Sequence, residues 1–466
     1  MSESRKAIAD AFDAERFRAD GHRLIDALAD QLAAWHRGDG PALPWSDALD
    51  EPWRLDDAPV AGTGELVADL ARVAAASTAL AHPRTFAHQV APPLPGAALA
   101  ELVGALINNG MAVYEMGPAA TPIELEVVAW LCRKLGLPVG AGGVLTSGGS
   151  LGNLTALLAM RQARAGFDAW RDGTTKPLAV ITSSDSHYSI SRATHIMGWG
   201  DRGAIAAPVD ARHHLTAVAV RRALDDARDV SVIGVVAAAG STATGAFDPL
   251  DELADLCAER DLWLHVDAAH GGSAALSATH ASRLRGIARA DSVVWDAHKL
   301  MMMPALVTAV LFRRQADAYA AFAQQAPYLF GADAGLDLGQ RTLECTKRAM
   351  AVELWTALRV HGEAWFGAVV DRLHELAGEL AARVSAAPDF ELALAPESNI
   401  VVYALRDTDN RALRDLVARD GRFYVVGTEI RGRYWLRSTV MNPLIEPHDL
   451  DALLAHLRQL GARCRA

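Results

Sequence analysis

Leu262–Leu276 reads LWLHVDAAHGGSAAL, and Asp291–Pro304 reads DSVVWDAHKLMMMP. In each, a short apolar run rich in valine, leucine and tryptophan stops abruptly at polar groups. Asp267 follows the first run; His298 and Lys299 follow the second. Short continuous apolar runs bounded by small or polar residues are the pattern of strands buried on both faces. An acid and an amine at the exits of two such strands would be costly to bury unless each had a use.

Working outward, the same pattern recurs. GGVLT, PLAVITSSDSHYS, VSVIGVVAAAGST and ALVTAVLFR are further apolar runs, mostly separated by helix-length segments such as DPLDELADLCAERD. GGVLTSGGSLGNLTALLAM reads as strand, glycine turn and helix, with Leu151, Leu154 and Leu158 on one helical face. This alternation predicts an α/β fold whose sheet is mainly parallel, with crossover helices. Upstream, RFRADGHRLIDALADQLAAW places Leu24, Ile25, Leu28, Leu32 and Trp35 at helical spacing, a face for packing on something, such as a partner subunit. GDGPALPWSDALDEPW reads as an extended linker, and HPRTFAHQVAPPLPG has too many prolines for a regular element. After about residue 350 a helix, AMAVELWTALRVHG, opens a smaller α+β region. The expected organisation is an N-terminal helical segment over 1–80, a large domain over 81–350 and a small domain over 351–466.

Composition narrows the function. The 466 residues are 51% hydrophobic and 22% charged, ordinary values for a globular protein with a large core. A formal net charge of −11 argues against a nucleic-acid or anionic-membrane surface. Cys132, Cys257, Cys345 and Cys464 lack zinc-site spacing, so no metal is expected and a reducing cytoplasm fits. The charged N-terminus has no apolar core of a signal peptide, and no run is long enough to span a bilayer.

In open α/β sheets, ligands sit at the carboxyl ends of the strands. There lie Ser147–Ser150, His187, Thr242, Asp267, His298 and Lys299. Each alone has an ordinary explanation: a solvated lysine, a structural histidine, a capping aspartate, a tight turn. Together they supply the parts that hold pyridoxal phosphate. An amine forms a Schiff base with the aldehyde, an acid keeps the pyridine nitrogen protonated, and TSGGS before a helix offers N–H groups to the phosphate.

The chain resembles the pyridoxal-phosphate-dependent group II amino-acid decarboxylases, among them the aromatic-L-amino-acid and L-2,4-diaminobutyrate enzymes. The resemblance runs in order through FRADGHRLIDALADQL, HPRTFAHQVAPPLPG, GPAATPIELEVVAWL, TSGGSLGNLTALLA, SDSHYSISRA, GSTATGAFDPL, WLHVDAAHGG, DSVVWDAHK and LRSTVMNPLIEPHDLDALL. It implies fold type I with a mainly parallel seven-stranded sheet, and a homodimer with active sites at its interface. Lys299 is then the lysine bonded to the cofactor, Asp267 the partner of the pyridine nitrogen, and Ala269 a contact on the ring face. His187 stacks on the opposite face and positions the substrate carboxylate, and Thr242 lies beside the ring. Gly149, Ser150 and His298 bind the phosphate. Tyr328 in APYLFG matches a loop tyrosine that protonates the carbanion once CO2 has left.

The sequence departs from that pattern at GGSLGN, where an acidic residue is expected after the phosphate turn, and at DAHK, where proline is usual. His88 and Gln89 stand where aromatic decarboxylases carry bulky apolar side chains. Polar wall residues discriminate against substrates that leave them unpaired. The expected reaction is therefore decarboxylation of a polar aliphatic amino acid, diamino or dicarboxylic. The alternatives are an aromatic substrate, or oxidative deamination or transamination on the same scaffold. A non-catalytic binding protein has no need of Lys299, Asp267 and His187 together.

Overall fold

The apolar runs become strands because valine, isoleucine and tryptophan fit a pleated surface covered on both sides. The computed structural model describes residues 2–46, 63–322, 324 and 334–464. In chain order its strands are β1 (Thr85–Phe86), β2 (Gly142–Thr146), β3 (Leu178–Ser183), β4 (Ala204–Ala207), β5 (Ser231–Ala238) and β6 (Trp263–Asp267). They continue with β7 (Ser292–Asp296), β8 (Thr308–Phe312), β9 (Phe390–Leu392), β10 (Ile400–Leu405), β11 (Tyr424–Ile430) and β12 (Arg433–Thr439).

The larger sheet has seven strands in the order β2-β8-β7-β6-β5-β3-β4. The pairs from β7 through β6, β5 and β3 to β4 are parallel; β8 runs antiparallel to both β2 and β7. This arrangement brings the carboxyl ends of β2, β3, β5, β6 and β7 to one edge. Leu145, Val180, Val235, Val266 and Val293 are fully buried in it. The Gly149–Arg164 helix follows β2 immediately and packs across β5–β8, with Leu154, Leu157 and Met160 buried beneath it.

A second sheet, β1-β11-β12-β10-β9, lies against the helix Glu363–Ala386, whose Val370, Leu373 and Leu380 are fully buried. Its β1 is a correction. The proline-rich segment, expected to hold no regular element, contributes Thr85 and Phe86 as two parallel partners of Tyr424 and Val425. Prolines flank that pair without occupying it, so both residues keep the groups a ladder needs.

The N-terminal periodicity appears as the helix Ala14–His36, in which only Asp20 is buried. It packs on the helix Thr63–Ala75. The expected linker spans residues 38–53; its described part, 38–46, holds no helix or strand, and 47–53 lie outside the described residues. Among the described residues no helix is long and apolar enough to cross a membrane.

Candidate active site

Topology converts separate strand ends into one cleft of about 250 Å³. Gly149 and Ser150 reach it after β2, His187 after β3, Thr242 after β5, Asp267 and Ala269 after β6, and His298 and Lys299 after β7. Eight of the positions named from the sequence thus line a single cavity. His88 and Gln89 are not among its lining residues. His88 lies edge-on to Tyr424, ring centroids 5.7 Å apart, beside the second sheet, and the buried Gln89 Nε2 has no partner among the described residues. Tyr328 lies outside the described residues.

The Lys299 amine is 3.0 Å from Asp296 Oδ2. Asp296 is 2% exposed and also accepts a 2.6 Å hydrogen bond from Thr308 Oγ1. Lys347, another lysine of the fold's interior, is placed very differently. Its amine is fully buried, donates to Leu145 O at 2.7 Å and is paired with Glu124.

Beside Lys299, Asp267 accepts from Asn153 Nδ2 at 2.9 Å and from the Ala269 N–H at 3.2 Å. It has no cationic side-chain partner among the described residues. His187 Nδ1 is 2.8 Å from Ser189 Oγ, and Asn153 Nδ2 also reaches Ser189 Oγ at 2.9 Å. Burial holds His187 below the ordinary histidine value; the Asp267 carboxylate opposes this and Lys299 reinforces it.

The glycine turn is constrained on two sides. Gly148 sits at φ +107°, a conformation other residues avoid. A Cβ on Gly149 would stand 3.0 Å from Asp296 Oδ2. The helix that starts there has no side-chain cap, so its first N–H groups and the positive end of its dipole face the cleft unclaimed.

These features meet the requirements of pyridoxal phosphate. A helix start without a cap, a carboxylate without a cation and an accessible amine are the complements of a phosphate, a pyridinium and an aldehyde. Among the lining residues that the reading of the sequence did not name are Asp296, Asn153, Asp185 and His270. Asp296 was visible three places before Lys299, in the quoted DAHK. Asn153, Asp185 and His270 carried no signal, because single polar residues in helices and turns are common. His270 is the informative one: its Nε2 is 2.6 Å from Asn399 Oδ1, so it links the cleft to the second sheet. Burial, then Lys299, holds it well below the ordinary histidine value.

Such a cleft at the carboxyl edge of a seven-stranded sheet defines a class, the fold-type I pyridoxal-phosphate enzymes. The pyridoxal-dependent decarboxylase conserved domain matches residues 60–406, and the chain belongs to that family. It is 31% identical to the L-2,4-diaminobutyrate decarboxylase of Rhizobium meliloti, over 86% of this chain and 83% of the relative. It is 32% identical to the cysteine sulfinic acid decarboxylase of Rattus norvegicus, over 82% of each. The crystal structure of mouse CSAD superposes with a TM-score of 0.89 at 26% identity, covering 96% of this chain and 99% of that one. The protein is a pyridoxal-phosphate-dependent amino-acid decarboxylase, a carboxy-lyase.

Proposed function

We propose that this decarboxylase acts on an acidic aliphatic amino acid, releasing CO2 and the corresponding amine. When bound, pyridoxal phosphate supplies an aldehyde for an amine and a ring that accepts the electron pair freed as CO2 leaves. Lys299 is the amine that fixes it, held in place by Asp296 at 3.0 Å. Asp267 would keep a proton on the pyridine nitrogen, and Ala269 and His187 would pack against the ring. Thr242 would lie beside it, while the Gly149–Ser150 turn and His298 would hold the phosphate. Tyr328 returns a proton to the former α-carbon.

One observation carries the acidic assignment. Arg437 is 7% exposed, its Nε has no partner, and it has no carboxylate partner among the described residues. Burial lowers its pKa to about 10, still cationic at neutral pH. Its charge bears on His270, which lines the cleft, and on His88, from the segment read as the pocket wall. A buried cation without an anion is costly, and a substrate carboxylate would relieve that cost. Relatives named for cysteine sulfinic acid and for diaminobutyrate are about equally similar, so the choice between them rests on Arg437.

A second copy of the chain completes the enzyme in this reading. The helix Pro95–Ile107 leaves Leu99, Leu102, Val103 and Leu106 between 47% and 68% exposed, a stripe that a homodimer interface would cover. Residues 1–80 would clasp the partner, 81–350 would hold the cofactor and 351–466 would close the substrate side. The scattered cysteines fit the cytoplasm, and the net charge of −11 favours neither an anionic membrane nor nucleic acid.

The test compares kcat/KM for cysteine sulfinate, aspartate and glutamate with that for 2,4-diaminobutyrate, ornithine and DOPA. An acidic substrate should lead, and Arg437→Gln should raise its KM more than it lowers kcat. Faster turnover of a diamino or aromatic substrate than of every acidic one would overturn the assignment.

A further inference from the structure

We infer that Asn153 and Ser189 are positioning residues: a one-way chain of hydrogen bonds begins at the buried Trp263 indole, branches at Asn153, and fixes both the Asp267 carboxylate and the tautomer of His187. The inference rests on the placement of Asp267 and His187 at the cofactor site proposed above.

An indole N–H can only donate. Trp263 Nε1 donates to Ser292 Oγ at 2.8 Å, which leaves the Ser292 hydroxyl proton for His265 Nδ1, also at 2.8 Å. His265 then carries its own proton on Nε2 and donates to Asn153 Oδ1 at 3.0 Å. The Asn153 amide has two protons, and both are used. One goes to Asp267 Oδ2 and the other to Ser189 Oγ, each at 2.9 Å. Ser189 in turn donates its hydroxyl proton to His187 Nδ1 at 2.8 Å. The Ser189 main-chain N–H, which also can only donate, points to the same nitrogen at 3.3 Å. His187 Nδ1 is therefore bare. The ring proton sits on Nε2, which has no protein partner among the described residues.

Only this arrangement avoids setting two acceptors against each other at Asn153. The opposite His265 tautomer would set a bare nitrogen against the Asn153 oxygen. Turning the Asn153 amide over would set that oxygen against the Asp267 carboxylate. Trp263, Ser292, His265 and Asn153 are each at most 1% exposed, so water cannot repair a mismatch. Burial lowers the pKa of His265 to about 4 and holds His187 below its ordinary value, so both rings are neutral at pH 7 and each must choose a tautomer. The consequence for the site is that His187 meets a ligand as an N–H donor, suited to hold a carboxylate.

The test is long-range 1H–15N correlation spectroscopy at pH 7 on the cofactor-free, 15N-histidine-labelled protein, with signals assigned through His187→Gln and His265→Gln. Both rings should show the Nε2–H pattern. An Nδ1–H tautomer or a cation at either position would overturn the inference. Asn153→Asp keeps the size and removes both amide donors. It should raise the His187 titration midpoint by about one unit and weaken cofactor binding about tenfold. A folded Asn153→Asp protein with both quantities unmoved would also overturn it, and if that variant does not fold, the wild-type spectrum decides. The spectrum needs neither cofactor nor substrate, so a failure to decarboxylate acidic amino acids would leave this result intact.

Discussion

Asp267 is a carboxylate with two hydrogen bonds and, among the described residues, no cation, in a cleft beside an amine that already has its own acid. Its environment is incomplete without a cationic ligand, which sets the expectation for its removal. Asp267→Ala should keep its far-UV spectrum, bind pyridoxal phosphate weakly and lose rate by orders of magnitude; near-normal turnover would exclude the pairing. His187 gives a pH prediction. Burial lowers its pKa, so the neutral ring persists below the ordinary value of about 6.5. The acid limb of kcat/KM should therefore fall below pH 6.5, and a limb above it would contradict a neutral His187. Tyr328 makes a chemical prediction. Without its proton, the carbanion left by CO2 is open to oxygen, so Tyr328→Phe should yield aldehyde and ammonia in place of amine. Unchanged amine output would remove Tyr328 from the reaction.

At the scale of elements, two buried acids behave in opposite ways. Glu124, on the helix Ala120–Lys134, accepts the Leu145 N–H of β2 at 2.9 Å and pairs with Lys347, both side chains 1% exposed. Removing one partner would strand a buried charge, so Glu124→Ala should destabilise by about 3–5 kcal/mol, measurable by urea titration. Glu353 is different. Burial, then repulsion from Glu101, raises its pKa to about 8, against an unfolded value of 4.5, while Arg348 partly opposes this. A folded pKa above the unfolded one means the native state binds the extra proton, so stability falls as pH rises from 4.5 through 8. Glu353→Gln should raise the melting temperature at pH 8.5 and change it little at pH 5. The same scale shows what the chain's pattern discloses. The runs that became β2, β3 and β5–β8 were legible because their valines and leucines are continuous. The edge strand β4, Ala204–Ala207, was not, because alanine has little preference for strands and its face is only partly covered. The acid and amine stood out against apolar runs, whereas Asn153 and Ser292 drew their roles only from neighbours brought together by folding.

For the whole molecule, the second sheet supplies what the first lacks. β12 carries Arg437, and Asn399, just before β10, holds His270, so chain far from the cofactor motifs reaches a residue that lines the cleft. That is why the reaction class was readable from the strand ends and the substrate was not. The exposed stripe on Pro95–Ile107 predicts a dimer by sedimentation, and Leu102→Glu with Leu106→Glu should give monomers of reduced activity. All of this depends on where the cofactor is fixed. The direct measurement is to reduce the holo-protein with borohydride, digest it and map the phosphopyridoxyl group by mass spectrometry. The group should lie on the peptide containing Lys299 and be absent from that peptide's counterpart in Lys299→Ala. Modification of Lys347, or of any lysine other than Lys299, would contradict the placement of the active site at the carboxyl edge of the sheet.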